Sequence, residues 1–168
     1  EVVAEVPGRQ ILVRRVLDIA EDLYLADHVL GGRVSMRDRN QTALPVNPLT
    51  MSVEMLAEVA ARLMPGKVVL AVQNIRAHRW MVVDNKLELS LQGECIGPDR
   101  VYVSIREARS EVSTQSPIIE AEVVVGDSYP PPPAAGEFSL SAGRPSRFTA
   151  EAMYKTAMIS GPRFQAIH

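Results

Sequence analysis

Several features are scarce in this 168-residue sequence, and each absence excludes a class of function or a location for the protein. It has one cysteine, Cys95, so no disulfide can form within the chain, and a reducing cytoplasm is the expected location. No apolar run approaches the roughly 18 residues of a membrane-spanning helix, and the acidic start at residues 1–5 does not resemble a signal peptide. A net charge of −2 predicts neither nucleic acid nor an acidic membrane as partner. The sequence also lacks a Gly-x-Ser-x-Gly motif and paired Cys/His spacing, which argues against a serine hydrolase or a metal site.

Apolar residues make up 46% of the chain and charged residues 23%, as in an ordinary folded domain. One helix is predicted from an N-cap at Asn47 and Pro48 at the first helical position, ending at Pro65-Gly66. Its apolar residues recur at helical spacing over about four turns, which predicts a largely buried helix. They are Leu49, Val53, Leu56, Ala57, Ala60, Leu63 and Met64.

Strand patterns surround this helix. Short apolar runs precede it at 11–16 and 23–25, and alternating or continuous runs follow it at 68–83, 87–91, 101–105 and 118–125. One buried helix among antiparallel strands predicts an α+β domain in which the sheet curls around the helix, as in the hot-dog fold. We expect this domain to span residues 1–129. A linker rich in Pro, Ala, Gly and Ser is expected at 130–147, and a further element begins at 148–168.

His28 is the main candidate for chemistry. It lies in a His-x-x-x-Gly motif with Gly32, on a loop that precedes the buried helix. An imidazole can act as a general base near neutral pH, and a glycine allows close approach of backbone to a substrate. The N-terminus of the following helix offers N–H groups to a thioester carbonyl. Taken alone, a His-x-x-x-Gly motif is more often an ordinary loop.

Two further segments accompany this motif in order: Ile75-Arg76-Ala77-His78-Arg79-Trp80 and Gly161-Pro162-Arg163-Phe164-Gln165. Together the three resemble the dehydratase domains of type I polyketide synthases, especially those of iterative synthases that make polyunsaturated acids, enediynes or glycolipids. The resemblance implies half of a double hot-dog fold with the start of the second half. It further implies dehydration of a β-hydroxyacyl thioester carried on the phosphopantetheine of an acyl carrier protein, with no other cofactor. The other domains of a multidomain synthase and a second copy, in a homodimer, are the remaining partners expected.

The resemblance also assigns roles to residues. His28 would remove the α-proton as general base, and substrate contacts would fall to Gly32, Pro48, Gly161, Pro162 and Phe164. The acid would be an aspartate beyond His168, so this chain alone is expected to be inactive. Glu54 is the substitute acid if it acts across a dimer interface; otherwise it is structural. Its neighbour one turn on, Glu58, is expected to pair with Arg62.

The sequence departs from the family pattern at two places. The proline of the histidine motif would fall at Arg37, whereas the nearest prolines are Pro45 and Pro48, which indicates an insertion. Ser160 stands where an aromatic residue is expected before Gly161. Two alternatives therefore stay open: a catalytically silent hot-dog that serves as scaffold or carrier-protein docking module, and a relative of product-template domains or thioesterases. His78 is expected at the surface or in a groove, and Cys95 is expected to be a small buried apolar group.

Overall fold

A six-stranded antiparallel sheet dominates the computed structural model, which describes residues 1–30, 44–108, 116–134, 136, 143–156 and 161–165. Its strands lie in the order β1–β2–β6–β7–β8–β5. Their bounds are β1 Val2–Val6, β2 Gln10–Asp18, β5 Val68–Ala77, β6 Lys86–Gly97, β7 Arg100–Glu107 and β8 Ile119–Gly126. A separate small pair joins β3 (Val29–Leu30) to β4 (Leu44–Pro45). The helices are α1 (Leu49–Leu63) and α2 (Ala150–Thr156), with 3-10 turns at Leu23–Asp27 and Pro162–Phe164.

The helix α1 lies against the sheet and contacts β2, β5, β6, β7 and β8. Its buried residues recur every three or four positions, so that they form one face of the helix. The sheet supplies the opposite half of the core through alternate residues of each strand, since side chains point to opposite faces of a strand in turn. The largest fully buried strand residues are Ile11, Leu17, Leu89, Val101, Val103, Ile105 and Val123.

A glycine in β6 allows the helix to approach the sheet closely. A Cβ atom built at Gly93 would lie 2.9 Å from Cγ1 of Val59 on α1 and 3.0 Å from Cγ2 of Ile11 on β2. Both atoms belong to buried side chains. Even a methyl group at position 93 would therefore force the core to shift.

The buried helix α1 and the strands that follow it agree with the sequence-based expectations in most respects. The first apolar position, Leu49, is 54% exposed, because it precedes the turn of α1 that meets the sheet. The apolar run 68–83 is not one strand: β5 ends at Ala77, and the stretch beyond it pairs with another segment. Val82 forms a bridge with Val46, and the N–H of Val83 donates to the Pro45 carbonyl at 2.9 Å.

The predicted strand at 23–25 is wrong, because this stretch is a 3-10 turn. The N–H of Leu25 donates to the carbonyl of Asp22 at 2.9 Å, and the Asp22 side chain accepts from the N–H of Asp18. These local hydrogen bonds satisfy polar groups of the backbone, so the segment needs no partner strand. Only Leu25 of the three residues is buried, and it joins the main core.

The described residues of the expected linker, within 130–134, 136 and 143–147, contain no helix or strand. The helix α2 and the second 3-10 turn follow in the stretch expected to begin a new element. The domain boundaries themselves stay a prediction. Across the parts of the chain that the structure describes, no helix has both the length and the apolar character that crossing a membrane requires.

Candidate active site around His28

His28 lies between the first 3-10 turn and β3. Val46 forms hydrogen bonds with both the backbone and the ring of His28. The His28 carbonyl accepts from the N–H of Val46 at 3.1 Å, and its ring atom Nδ1 is 2.7 Å from the Val46 carbonyl oxygen. Because a carbonyl can only accept, the hydrogen of the neutral ring is assigned to Nδ1. The lone pair then resides on Nε2, which is the atom that can take a proton.

The segment behind the histidine is fixed by the core of the domain. Val46 is 1% exposed and lies between the His28 segment and the stretch Met81–Val83. On that far side, the N–H of Asn47 donates to the Met81 carbonyl at 2.9 Å. The acceptor for the His28 ring therefore belongs to a buried segment that is hydrogen-bonded on its far side.

The start of α1 is held by a buried asparagine, although Asn47 is not the N-cap as predicted. Pro48 takes that place and has no capping side chain. The Asn47 side chain instead donates to Ser52 Oγ at 2.8 Å and accepts from the Tyr24 hydroxyl at 2.8 Å. Burial raises the pKa of Tyr24, so that its hydroxyl keeps the proton it donates. Asn47 thus joins the turn before His28 to the first turn of the helix.

The second motif packs directly on the residue before the histidine. The N–H of Gly161 donates to the Asp27 carbonyl at 2.7 Å. Arg163 donates twice to Asp27 Oδ2, from its backbone N–H at 3.1 Å and from Nη1 at 2.9 Å. A Cβ at Gly161 would lie 2.7 Å from the Asp27 Cα, so only glycine fits this approach. The Phe164 ring then meets the His28 ring edge-on, with centroids 5.9 Å apart and planes at 64°.

Asp27 is charged and nearly enclosed, with a residue exposure of 9%. The hydrogen bond from the Arg163 side chain, aided by the Arg163 backbone N–H and charge, lowers the pKa of Asp27 against the opposing effect of burial. Asp27 is therefore a carboxylate at neutral pH. It binds Gly161 and Arg163 of the second motif, and its charged form makes it a poor proton donor for a reaction at His28.

The predicted site residues divide into those near His28 and those elsewhere. Gly161 contacts Asp27 and Phe164 contacts His28, whereas Pro162 is exposed at the start of the second 3-10 turn. Pro48 is buried at the start of α1. Gly32 lies outside the described residues. Glu54 is exposed on α1, and in the described part of the chain no hydrogen bond or ion pair joins it to His28. The predicted pairing of Glu58 with Arg62 is wrong, because Arg62 reaches across to Glu5 on β1 at 3.7 Å.

The remaining chemical candidates lie in the sheet region. His78, just after β5, bonds through Nε2 to Glu120 Oε1 on β8 at 3.2 Å. Cys95 is half-buried beside Met64, and burial raises the pKa of its thiol, which makes it a weaker nucleophile. Within the described ranges, no cluster of His, Cys, Asp and Glu could hold a metal ion.

Sequence reasoning missed the roles of Asp27, Val46 and Arg163. Asp27 was visible as the residue before the histidine, and Arg163 as the charged residue within the second motif. Their contact joins positions 136 residues apart, which a single sequence does not reveal. Val46 acts through its carbonyl, and a backbone group has no sequence signal.

No protein-family model matches this sequence, and no curated protein matches it. Solved structures do match. The dehydratase domain from the CurF module of the curacin polyketide synthase superposes with a TM-score of 0.60 at 14% identity, covering 83% of this chain and 46% of that one. The dehydratase domain from the terminal module of the rifamycin polyketide synthase gives 0.55 at 17% identity, covering 85% and 47%.

A third match is the dehydratase domain of a mycocerosic acid synthase-like polyketide synthase, with a TM-score of 0.55 at 14% identity and coverage of 92% and 43%. The chain therefore spans less than half the length of these neighbours. At this identity the likeness concerns the fold: an antiparallel sheet around one helix, the hot-dog fold expected from the sequence. That expectation is confirmed. In particular, the chain has the fold found in the dehydratase domains of polyketide synthases.

Proposed function

We propose that this chain carries the base of a β-hydroxyacyl thioester dehydratase of a polyketide or fatty-acid synthase. His28 Nε2 removes the α-proton of the acyl chain, the electrons of that bond form the α,β-double bond, and the β-hydroxyl leaves as water with a proton from an acid. The product is the α,β-unsaturated thioester. No redox cofactor is needed, because the reaction is an elimination.

The arrangement of the His28 ring carries this proposal. Nδ1 donates to the Val46 carbonyl at 2.7 Å, which leaves Nε2 unprotonated in the neutral ring. A general base has to hold its lone pair toward the proton that it removes. The hot-dog fold shared with polyketide synthase dehydratase domains supports this choice of reaction.

The acid of the reaction is proposed to come from polypeptide outside these 168 residues. Asp27 is the nearest carboxylate in the sequence, but Arg163 holds it in the charged form. Glu54, acting from a second copy in a homodimer, is the other candidate, because its carboxylate is exposed and could reach a partner. Substitution of Glu54 by Gln distinguishes the two sources: turnover persists if the acid lies elsewhere and disappears if Glu54 supplies the proton.

Turnover by a His28→Ala variant tests the proposal. The longest natural polypeptide that contains this chain is given a β-hydroxyacyl thioester, and loss of water is followed by mass spectrometry. We expect the rate to fall by roughly 10²–10⁴-fold, the usual effect of losing a general base. His78→Ala is the matched control, because its imidazole is bound to Glu120 on the sheet. A folded His28→Ala variant with full activity would contradict the proposal.

We also propose an acyl carrier protein as the partner that delivers the substrate, in a synthase of several domains located in the cytoplasm. The same acyl group is offered on a carrier protein and on free pantetheine. A higher kcat/KM for the carrier-bound form supports the carrier, and equal values contradict it. The residues proposed to contact the acyl chain in this scheme are Gly32, Pro48, Gly161, Pro162 and Phe164.

A further inference from the structure

We propose that Asp27 and Arg163 are positioning residues for His28: their ion pair holds the turn Pro162–Phe164 so that the Phe164 ring keeps the imidazole in one orientation. This inference rests on the proposed function for its catalytic consequence, but the positioning itself can be measured without any turnover. The ion pair joins Asp27, the residue before His28, to Arg163 in the second motif.

The first step is that Asp27 binds the second motif at the start and at the middle of its short turn. The Gly161 N–H binds the Asp27 carbonyl, and the Arg163 N–H and guanidinium bind the Asp27 carboxylate. Within the turn, the Phe164 N–H donates to the Gly161 carbonyl at 3.0 Å, and the Gln165 N–H donates to the Pro162 carbonyl at 3.3 Å. The position of the Phe164 ring therefore follows from the bonds to Asp27.

The second step is that the His28 ring has two neighbours that define its orientation. The Val46 carbonyl fixes the Nδ1 edge through a hydrogen bond, and the Phe164 ring meets the imidazole edge-on. A single hydrogen bond leaves a ring free to tilt about it, whereas a second contact at 64° restricts that tilt. With Phe164 displaced, the imidazole would sample other orientations and the other tautomer.

The third step concerns the strength of the connection. Asp27 is buried with a side-chain exposure of 10%, whereas Arg163 is 52% exposed. A carboxylate left without its partner in a dry site is costly, so on loss of Arg163 the turn is expected to move away and let water solvate Asp27, which keeps the cost to overall stability small. The half-exposed Arg163 can be truncated without opening the core. Arg163 variants therefore release the turn while the sheet and α1 stay folded.

The experiment compares Arg163→Met, Arg163→Lys and Asp27→Asn with the control Arg100→Met. Arg100 also binds a carboxylate through Nη1, that of Glu122 at 3.1 Å, and is 44% exposed, but it lies on β7. Imidazole nitrogens are observed by NMR in the 168-residue chain labelled with ¹⁵N-histidine. The chain has three histidines, so His78→Gln and His168→Gln variants assign the His28 signals. Phe164→Leu removes the ring while leaving the ion pair intact.

We expect the wild type and Arg100→Met to show a single Nδ1–H tautomer at His28. Arg163→Met, Asp27→Asn and Phe164→Leu should show a mixture of tautomers, and Arg163→Lys an intermediate pattern, with unchanged thermal melts. In the turnover assay, kcat should fall about 10–10²-fold in Arg163→Met with KM unchanged, because a displaced base slows chemistry more than binding.

Unchanged His28 nitrogen signals in folded Arg163→Met and Phe164→Leu variants would overturn the inference, whatever the turnover. A changed His28 tautomer in Arg163→Met, found together with full activity of the separate His28→Ala variant, would support the positioning and contradict the proposed function instead. The two ideas can therefore fail separately.

Discussion

The helix–sheet core and the surroundings of His28 are held together by different forces. In the core, α1 meets the sheet through apolar side chains such as Leu56 and Leu89, which are fully buried. Around His28, the contacts are directed: a ring bonded to a backbone carbonyl, a buried asparagine, and an ion pair between Asp27 and Arg163. Apolar packing is non-directional and tolerates small shifts of side chains, whereas hydrogen bonds fix angles.

Because of this difference, we expect the stability of the domain and the orientation of the His28 ring to depend on different residues. A change in the core should lower the free energy of unfolding and leave the His28 ring as it is in the molecules that stay folded. A change in the polar contacts should move the ring and leave the unfolding transition nearly unchanged. Three predictions test this separation.

The largest effect is expected from Leu56→Ala, because Leu56 is fully buried at the centre of the helix face that meets the sheet. Loss of its packing should lower the free energy of unfolding by about 2–5 kcal/mol, measured by urea denaturation. The His28 nitrogen signals of the folded fraction should match the wild type. An altered tautomer in this variant would show that the core and the site are not separable.

A smaller overall effect, confined to the site, is expected from Gly161→Ala. The added methyl group collides with the Asp27 backbone and pushes the second motif away. Turnover should fall about 10–10²-fold, because misplacement of groups by about an ångström has this effect on catalysis. The urea midpoint should change little, since residues 161–165 are not buried. Gly143→Ala serves as control, because no atom lies within 4 Å of a Cβ there. Equal turnover in the two variants would contradict the prediction.

The smallest effect is expected on acidification. The pKa of Asp27 is lowered from its ordinary value of 3.8, so its ion pair stabilises the folded state above that pH and is lost as the pH falls through the lowered value. The nuclear Overhauser contact between the Phe164 and His28 rings should then weaken before the sheet unfolds. Asp18 and Glu120 also have lowered pKa values, so the global transition is acid-sensitive as well.

The variant Asp27→Asn isolates the local contribution. It removes the carboxylate of the pair and leaves Asp18 and Glu120 in place. The ring contact should be weak in this variant at every pH and show no separate acid transition. An acid transition of the ring contact that survives Asp27→Asn would assign the effect to another group.

The sequence was most informative where a repeating pattern reports burial. The helical spacing from Leu56 to Leu63 and the alternation in Val101, Val103 and Ile105 predicted elements that the structure contains. Both patterns arise because one face of each element contacts the core. They fail for Leu23–Leu25, where apolar residues lie in a turn whose backbone is satisfied locally.

Around His28 the sequence predicted which residues lie near the histidine, but it did not predict the contacts that they make. The two motifs suggested that Gly161 and Phe164 belong with the histidine, and the structure places Phe164 against its ring. The roles of Asp27 and Arg163 depend on a contact between distant parts of the chain, and the role of Val46 depends on a backbone atom. None of these leaves a periodic pattern, because each involves one residue whose partner is set by the fold.

The hydrogen bond from His28 to the Val46 carbonyl limits what mutagenesis can reveal about this site. Every amino acid carries that carbonyl, so no substitution at position 46 deletes the acceptor; it can only disturb the buried valine side chain. An alanine scan would therefore assign Val46 to folding alone and overlook its part in orienting the ring. Any residue that fits the buried space at position 46 therefore supplies the same acceptor to the ring.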